Sequence, residues 1–136
     1  MIEAGLFSQI TDTAGVSALV GDRVYPNMAP QEPTFPFIVY LRTATSRPTP
    51  HDGSAGVAFA TIAVKCVDLE YKAVKELAEE VRLALDGVTS PIGTYTAMGI
   101  VIENEYDDPD PPQSGEEVPI FAVRMDVRIG YNEATS

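Results

Sequence analysis

Apolar residues recur along this chain with two distinct periods, and those periods place its elements. Near the amino terminus Ile2, Leu6 and Ile10 stand four apart with Phe7 beside them, which predicts a helix over Ile2 to Ile10 with one apolar face. Thr11-Asp12-Thr13 is a capping signal for a short second helical stretch through Val16, Leu19 and Val20, which Gly21 ends. Arg23-Val24-Tyr25-Pro26 reads as a short strand closed by proline, and Asn27 to Pro36 as an irregular connection. Phe37 to Thr45, rich in β-branched and aromatic residues, predicts the first long strand. Val57 to Asp68 predicts the second: Ala58, Ala60, Ile62, Val64 and Cys66 alternate with Thr61 and Lys65, and the small residues among them suit close packing by a helix.

The spacing then becomes helical. From Tyr71 to Leu85 the residues Val74, Leu77, Ala78, Val81, Ala84 and Leu85 form one stripe, Lys75, Glu76, Glu79, Glu80 and Arg82 point away from it, and Gly87 stands ready to cap the end. A turn at Pro91-Ile92-Gly93 leads to a third strand over about Ala97 to Tyr106. The final strand has the clearest pattern: Phe121, Val123, Met125, Val127 and Ile129 alternate with Ala122, Arg124, Asp126 and Arg128. A one-residue slip would place its whole apolar set in water, so its register is firmly specified. Together these elements predict an α+β fold with an antiparallel sheet of about four strands and helices packed on one face. Two long hairpin loops, Ser46–Gly56 and Asp107–Glu117, extend from the sheet. Residues 1–131 form a single domain in this reading, and 132–136 a flexible tail.

Composition narrows the functions open to such a domain. At 136 residues the chain can bury about two-thirds of its unfolded surface in one core. Nine basic residues against twenty acidic ones leave a net charge of −11. That balance argues against sequence-independent binding to nucleic acid and against docking on an anionic membrane. A single cysteine excludes an internal disulfide framework. The amino-terminal residues have neither the basic region nor the apolar run of a signal peptide, so folding in the cytoplasm is the expectation.

The inventory for catalysis is thin. Cys66 lies mid-strand on an apolar face, where a buried small hydrophobe is expected and a reactive thiol is not. His51, the only histidine, adjoins Asp52 in a proline- and glycine-flanked loop. Catalytic triad partners are matched in space and not by adjacency, so it reads as a solvated loop residue. One Cys and one His do not make a structural zinc site. Glu103, Glu105, Asp107, Asp108, Asp110, Glu116 and Glu117 lack the spacing of a calcium loop and read as a solvated acidic run. No cofactor, no metal and no enzymatic activity are expected.

Several segments, taken in order, resemble the tail-completion or tail-to-head joining proteins of long-tailed phages and prophages. They are Ile2 to Phe7, Ala14 to Pro26, Ala29-Pro30-Gln31, Phe35 to Tyr40, Ala78 to Gly87 and Arg128 to Tyr131. The resemblance implies a small α+β subunit related to tail terminators, assembling as a hexameric ring on the head-proximal end of the tail tube. Its implied partners are further copies of itself, the major tail tube protein and the head–tail connector proteins. DNA passes through such a ring without specific binding, and an acidic lumen would repel its phosphates. On this reading the two loops, with Arg47, His51, Asp52, Asp107, Asp108, Asp110, Glu116 and Glu117, together with Arg42, Arg124 and Arg128, contact neighbouring subunits or the tube. A head–tail connector, a small protein-binding adaptor and an enzyme using Cys66 or His51 are the rival expectations.

Overall fold

Two twelve-residue strands paired along their whole length, Val57–Asp68 (β3) and Phe121–Asn132 (β5), form the centre of the structure. The computed structural model describes residues 2–31, 33–47, 57–88, 96–108 and 120–132. On the central pair one set of alternate side chains, from Ala58 to Cys66 and from Val123 to Tyr131, is buried beneath helices. Phe37–Ser46 (β2) pairs antiparallel with the far side of β3, and Thr96–Asp107 (β4) antiparallel with the far side of β5. β4 is an edge strand with two register shifts against β5, between Ala97 and Gly99 and between Ile102 and Asn104.

The α+β class is as expected, and among the described residues the sheet has five strands and is mixed, where an antiparallel sheet of about four was expected. Val24–Pro26 (β1) joins it, parallel to β2, in the order β1-β2-β3-β5-β4. The short strand was legible, but its place in the sheet was not, because proline is usually excluded from a ladder. Here Arg23 accepts a hydrogen bond from the Ile38 N–H at 3.0 Å, and the Asn27 N–H donates to Tyr40 at 2.8 Å. Residues of that parity face β2, so the missing N–H of Pro26 points to the open edge, where it costs nothing.

Among the described residues three helices cover one face: Ile2–Thr11 (α1), Ala14–Val20 (α2) and Tyr71–Leu85 (α3). α3 lies on β3 and β5 with the whole predicted stripe buried, and α1 and α2 pack against α3. Ala58 and Ala60 are fully buried under this layer, as their small size anticipated. The Gln9 side chain donates to the Ala84 carbonyl at 3.1 Å, joining α1 to the end of α3. α2 departs from expectation in two details. The Thr13 hydroxyl donates back to the Gln9 carbonyl at 2.8 Å instead of capping α2, and Leu19 is exposed while Val16 and Val20 are buried.

The end of α3 is fastened to the sheet. Gly87 adopts a left-handed φ of +76°, a conformation that a Cβ penalises. Its N–H donates to the Ile100 carbonyl and the Ile100 N–H donates to the Val88 carbonyl, each at 3.0 Å. The glycine thus ends the helix while sending its N–H to β4 and not back into the last turn. At the loop boundaries, Asp107 belongs to β4 and Asn132 to β5. Residues 48–56 and 109–117 of the two predicted loops, the turn at 91–93 and the tail at 133–136 lie outside the described residues.

Leu77 and Met125 are both fully buried in the core, whereas Val101 is 56% exposed on the opposite face. Leu77→Ala is expected to destabilise the fold by about 2–5 kcal/mol, and Val101→Ala by less than about 0.5 kcal/mol. Urea denaturation followed by circular dichroism measures both.

Candidate functional site

The two faces of the sheet carry different chemistry. Beneath the helices it is apolar, and no polar or charged residue is fully buried among the described residues. The face turned away from the helices combines charges, aromatic rings and exposed apolar side chains. Strand pairing puts Lys65 of β3 opposite Arg124 of β5, and Tyr106 of β4 opposite Arg124 on its other side. The Arg124 guanidinium stands 6.0 Å from the centre of the Tyr106 ring, and its Nε is 3.6 Å from Asp126. Two pairs along β5, Arg128 lies 4.6 Å from the centre of the Phe59 ring and 3.7 Å from a Glu103 oxygen.

These charge pairs are half exposed, and such pairs contribute at most about 1 kcal/mol each to stability. Their composition is that of a contact surface: arginine laid on aromatic rings is enriched where proteins meet. Leu41, Val101 and Tyr106 are 42%, 56% and 43% exposed. An exposed leucine and an exposed valine on a β-sheet leave apolar area that a partner can cover.

The predicted contact residues divide between the faces. Arg124 and Arg128 share the open face, and Asp108 reaches it by pairing with Lys65 at 3.6 Å. Asp107, one residue earlier, turns to the helical side and pairs with Lys75 of α3. Arg42 is also on the helical side, 3.5 Å from Glu3 of α1. Arg47 follows β2 and is engaged in contacts of its own. His51, Asp52, Asp110, Glu116 and Glu117 lie outside the described residues. Lys65, Phe59, Glu103, Tyr106 and Asp126 complete the open-face cluster and were not anticipated as site residues. Each occupies a polar or outward position of an alternating strand, but only the register shows that they meet.

Beside α1, a cavity of about 490 Å³ opens between the helix and the β1–β2 edge, lined by Glu3, Phe7, Asn27, Tyr40 and Arg42 among others. Burial, and secondarily the charge of Glu3, raise the Tyr40 phenol above its ordinary range. It therefore stays protonated at neutral pH, and the Glu3 carboxylate is offset by Arg42. Cys66 has no exposed surface, and burial pushes its thiol far above the usual range, with Glu105 adding to the effect. A neutral, enclosed thiol is a poor nucleophile. Among the described residues no group of three His, Cys, Asp or Glu side chains is placed to hold a metal ion. No described helix is long and apolar enough to cross a membrane.

The sequence pattern of the family described as tail completion protein gp17 matches residues 4–131. No curated protein matches the chain. Among solved structures, a chain from the virion of a native gene transfer agent particle has the same fold, with a TM-score of 0.75. The two sequences are 16% identical, and the match covers 97% of this chain and 94% of that one.

The native protein is expected not to react with a thiol-specific aromatic disulfide at pH 8, and to react with one equivalent once unfolded. Because the folded thiol is held neutral, stability should fall as pH rises past the ordinary thiol pKa of about 8.5, where only the unfolded chain ionises. Cys66→Ala should remove that part of the pH dependence, measured as urea midpoints at pH 7 and pH 9.5.

Proposed function

The chain belongs to the tail completion protein gp17 family, and is thus a phage tail structural protein; from that premise we propose that it is one subunit of a ring that ends the tail tube. The ring, of about six copies, halts tube growth and presents a surface to the head's connector proteins. The observation that carries this reading is the family match over nearly the whole chain. The open sheet face supports it with arginine–aromatic pairs of the kind that dominate binding energy at interfaces.

In this mechanism Arg124 and Arg128 contact the neighbouring subunit or the tube, and their local carboxylate partners hold them extended beforehand. The Ser46–Gly56 loop, with His51 and Asp52, and the Asp107–Glu117 loop, with Asp110, Glu116 and Glu117, reach across the same boundary. Arg42 and Arg47, at the other side of the sheet, serve the second boundary that a head-to-tail ring requires, because each copy in such a ring uses two different surfaces. The net charge of −11 keeps DNA moving through the lumen by repelling its phosphates. The ring's residence in the virion is at the head-proximal end of the tail, after assembly in the host cytoplasm.

Light scattering across a concentration series, with electron microscopy, is expected to show rings of about six subunits, either alone or on addition of isolated tail tubes. Arg128→Glu should leave the unfolding free energy within about 0.5 kcal/mol of the parent, yet weaken ring formation or tube capping at least tenfold. Binding to connectors without any affinity for tube ends would move the protein to the neck. A one-to-one complex with a single partner would make it an adaptor, and unfolding of the variant would make Arg128 a structural residue.

A further inference from the structure

The cavity beside α1 lies on the helical side of the sheet, and its walls are of two kinds. Phe7 and Tyr40, with ring centres 6.2 Å apart, join Ala4 and Pro26 in an apolar wall. Glu3 and Arg42 form a charged one. Glu3 and Phe7 stand one turn apart on α1, beside the buried stripe of Ile2, Leu6 and Ile10, so the register that fills the core also presents them to the cavity. Its volume of about 490 Å³ falls within the range of about 300–1,000 Å³ typical of ligand sites.

Hydrogen bonding at the charged wall is incomplete. Glu3 Oε1 is enclosed and has no donor among the described residues, a state that costs a buried polar group free energy. The last torsion of a glutamate is broad and two-fold, so the carboxylate can turn this oxygen to a donor brought into the cavity. Arg42 Nε is 3.5 Å from the other oxygen, and the Arg42 side chain is 43% exposed. A guanidinium carries five N–H donors, more than that one contact can use. The pair also sets the charge of what can enter. A cation placed here meets Arg42 and an anion meets Glu3, and a like charge within about 4–6 Å is unfavourable. Tyr40 stays protonated and adds no charge, and Asn27, held at a left-handed φ of +66°, adds a neutral amide to the lining. A neutral group that donates and accepts side by side avoids both repulsions and answers both unmet needs. The peptide group is such a group, and an aromatic side chain beside it matches the Phe7–Tyr40 wall.

We propose that the cavity between α1 and the β1–β2 edge is a docking site for an aromatic residue of a partner protein, held through its neutral peptide group by Glu3 and Arg42. The Glu3 carboxylate accepts from the peptide N–H, and the Arg42 guanidinium donates to the peptide carbonyl. The ring lies against Phe7, Tyr40 and Pro26. The inference goes beyond the ring reading and does not depend on it, because one subunit supplies every group of the site.

The test titrates the full chain at pH 6 with three probes that differ only at their ends. N-acetyl-phenylalaninamide is neutral, N-acetyl-phenylalanine an anion and phenylalaninamide a cation. The Ala4 methyl and the Phe7 and Tyr40 ring resonances should shift with the neutral probe, at millimolar affinity, while the Val101 methyls on the opposite face stay in place. Both charged probes should bind at least threefold more weakly. Glu3→Gln leaves Arg42 uncompensated and should move the preference to the anion, and Arg42→Gln should move it to the cation. Ile62 methyls in their parent positions report an intact fold in each variant. Where a variant fails to fold, the ranking of the probes on the parent chain decides alone. No shift at Phe7 and Tyr40 with any probe, equal binding of all three, or a charged probe bound tightest by the parent would overturn the proposal. So would a charge preference that neither substitution moves.

Discussion

The pairing of β3 with β5 is the constraint on which everything else in this subunit rests. From Val57 opposite Asn132 to Asp68 opposite Phe121 the two strands stay in register without interruption. Continuous register means that every second residue on both strands faces the same way. One face therefore becomes a dry floor for α3, and the other collects Lys65, Arg124, Asp126 and Arg128. A bulge anywhere in this pair would rotate part of one strand, bringing arginine beneath the helix and methionine into water. The irregularities of the sheet are instead placed outside the pair, in β2 between Arg42 and Ala44 and in β4.

The division of labour between the faces follows from this. Hydrophobic burial holds α3 to the sheet, and the exposed Lys75–Asp107 pair adds little to it. The charged pairs of the open face are then nearly free of a stabilising duty, since exposed pairs contribute little. Such residues can be exchanged for contacts with another molecule at small cost to folding. A phage tail structural protein benefits from that separation.

Long periodic elements were legible from the sequence alone. α3 runs from Tyr71 to Leu85 as its stripe predicted, and β3 and β5 lie where their alternation placed them. What could not be read was pairing across distance. The parity of Pro26 made β1 a permissible fifth strand, and parity is a property of the partner's register and not of the local pattern. The same holds for the charged cluster of the open face. Arg124 and Arg128 stood out as charges on an alternating strand, but Phe59 and Tyr106 became their companions only through the ladders on either side. Arg42 carries an identical side chain, yet the register sets it opposite the buried Ile62, on the helical side, where it meets Glu3. Thr13 shows the limit at short range: a hydroxyl flanked by two helices can serve the one that ends as well as the one that begins.

The register shifts in β4 bear on how the protein behaves when crowded. Among the described residues β4, twelve residues long, is an edge strand, and apart from Ile100, whose N–H and carbonyl pair with Val88 and Gly87, such an edge invites pairing with any other extended chain. Two breaks in its regularity shorten the straight stretches to which a foreign strand can match, and Glu103 and Glu105 add like-charge repulsion between copies. The opposite edge is only three residues long and ends in proline. A stock of this protein should therefore stay colloidally stable at concentrations where an unkinked, neutral sheet edge would gel into fibrils.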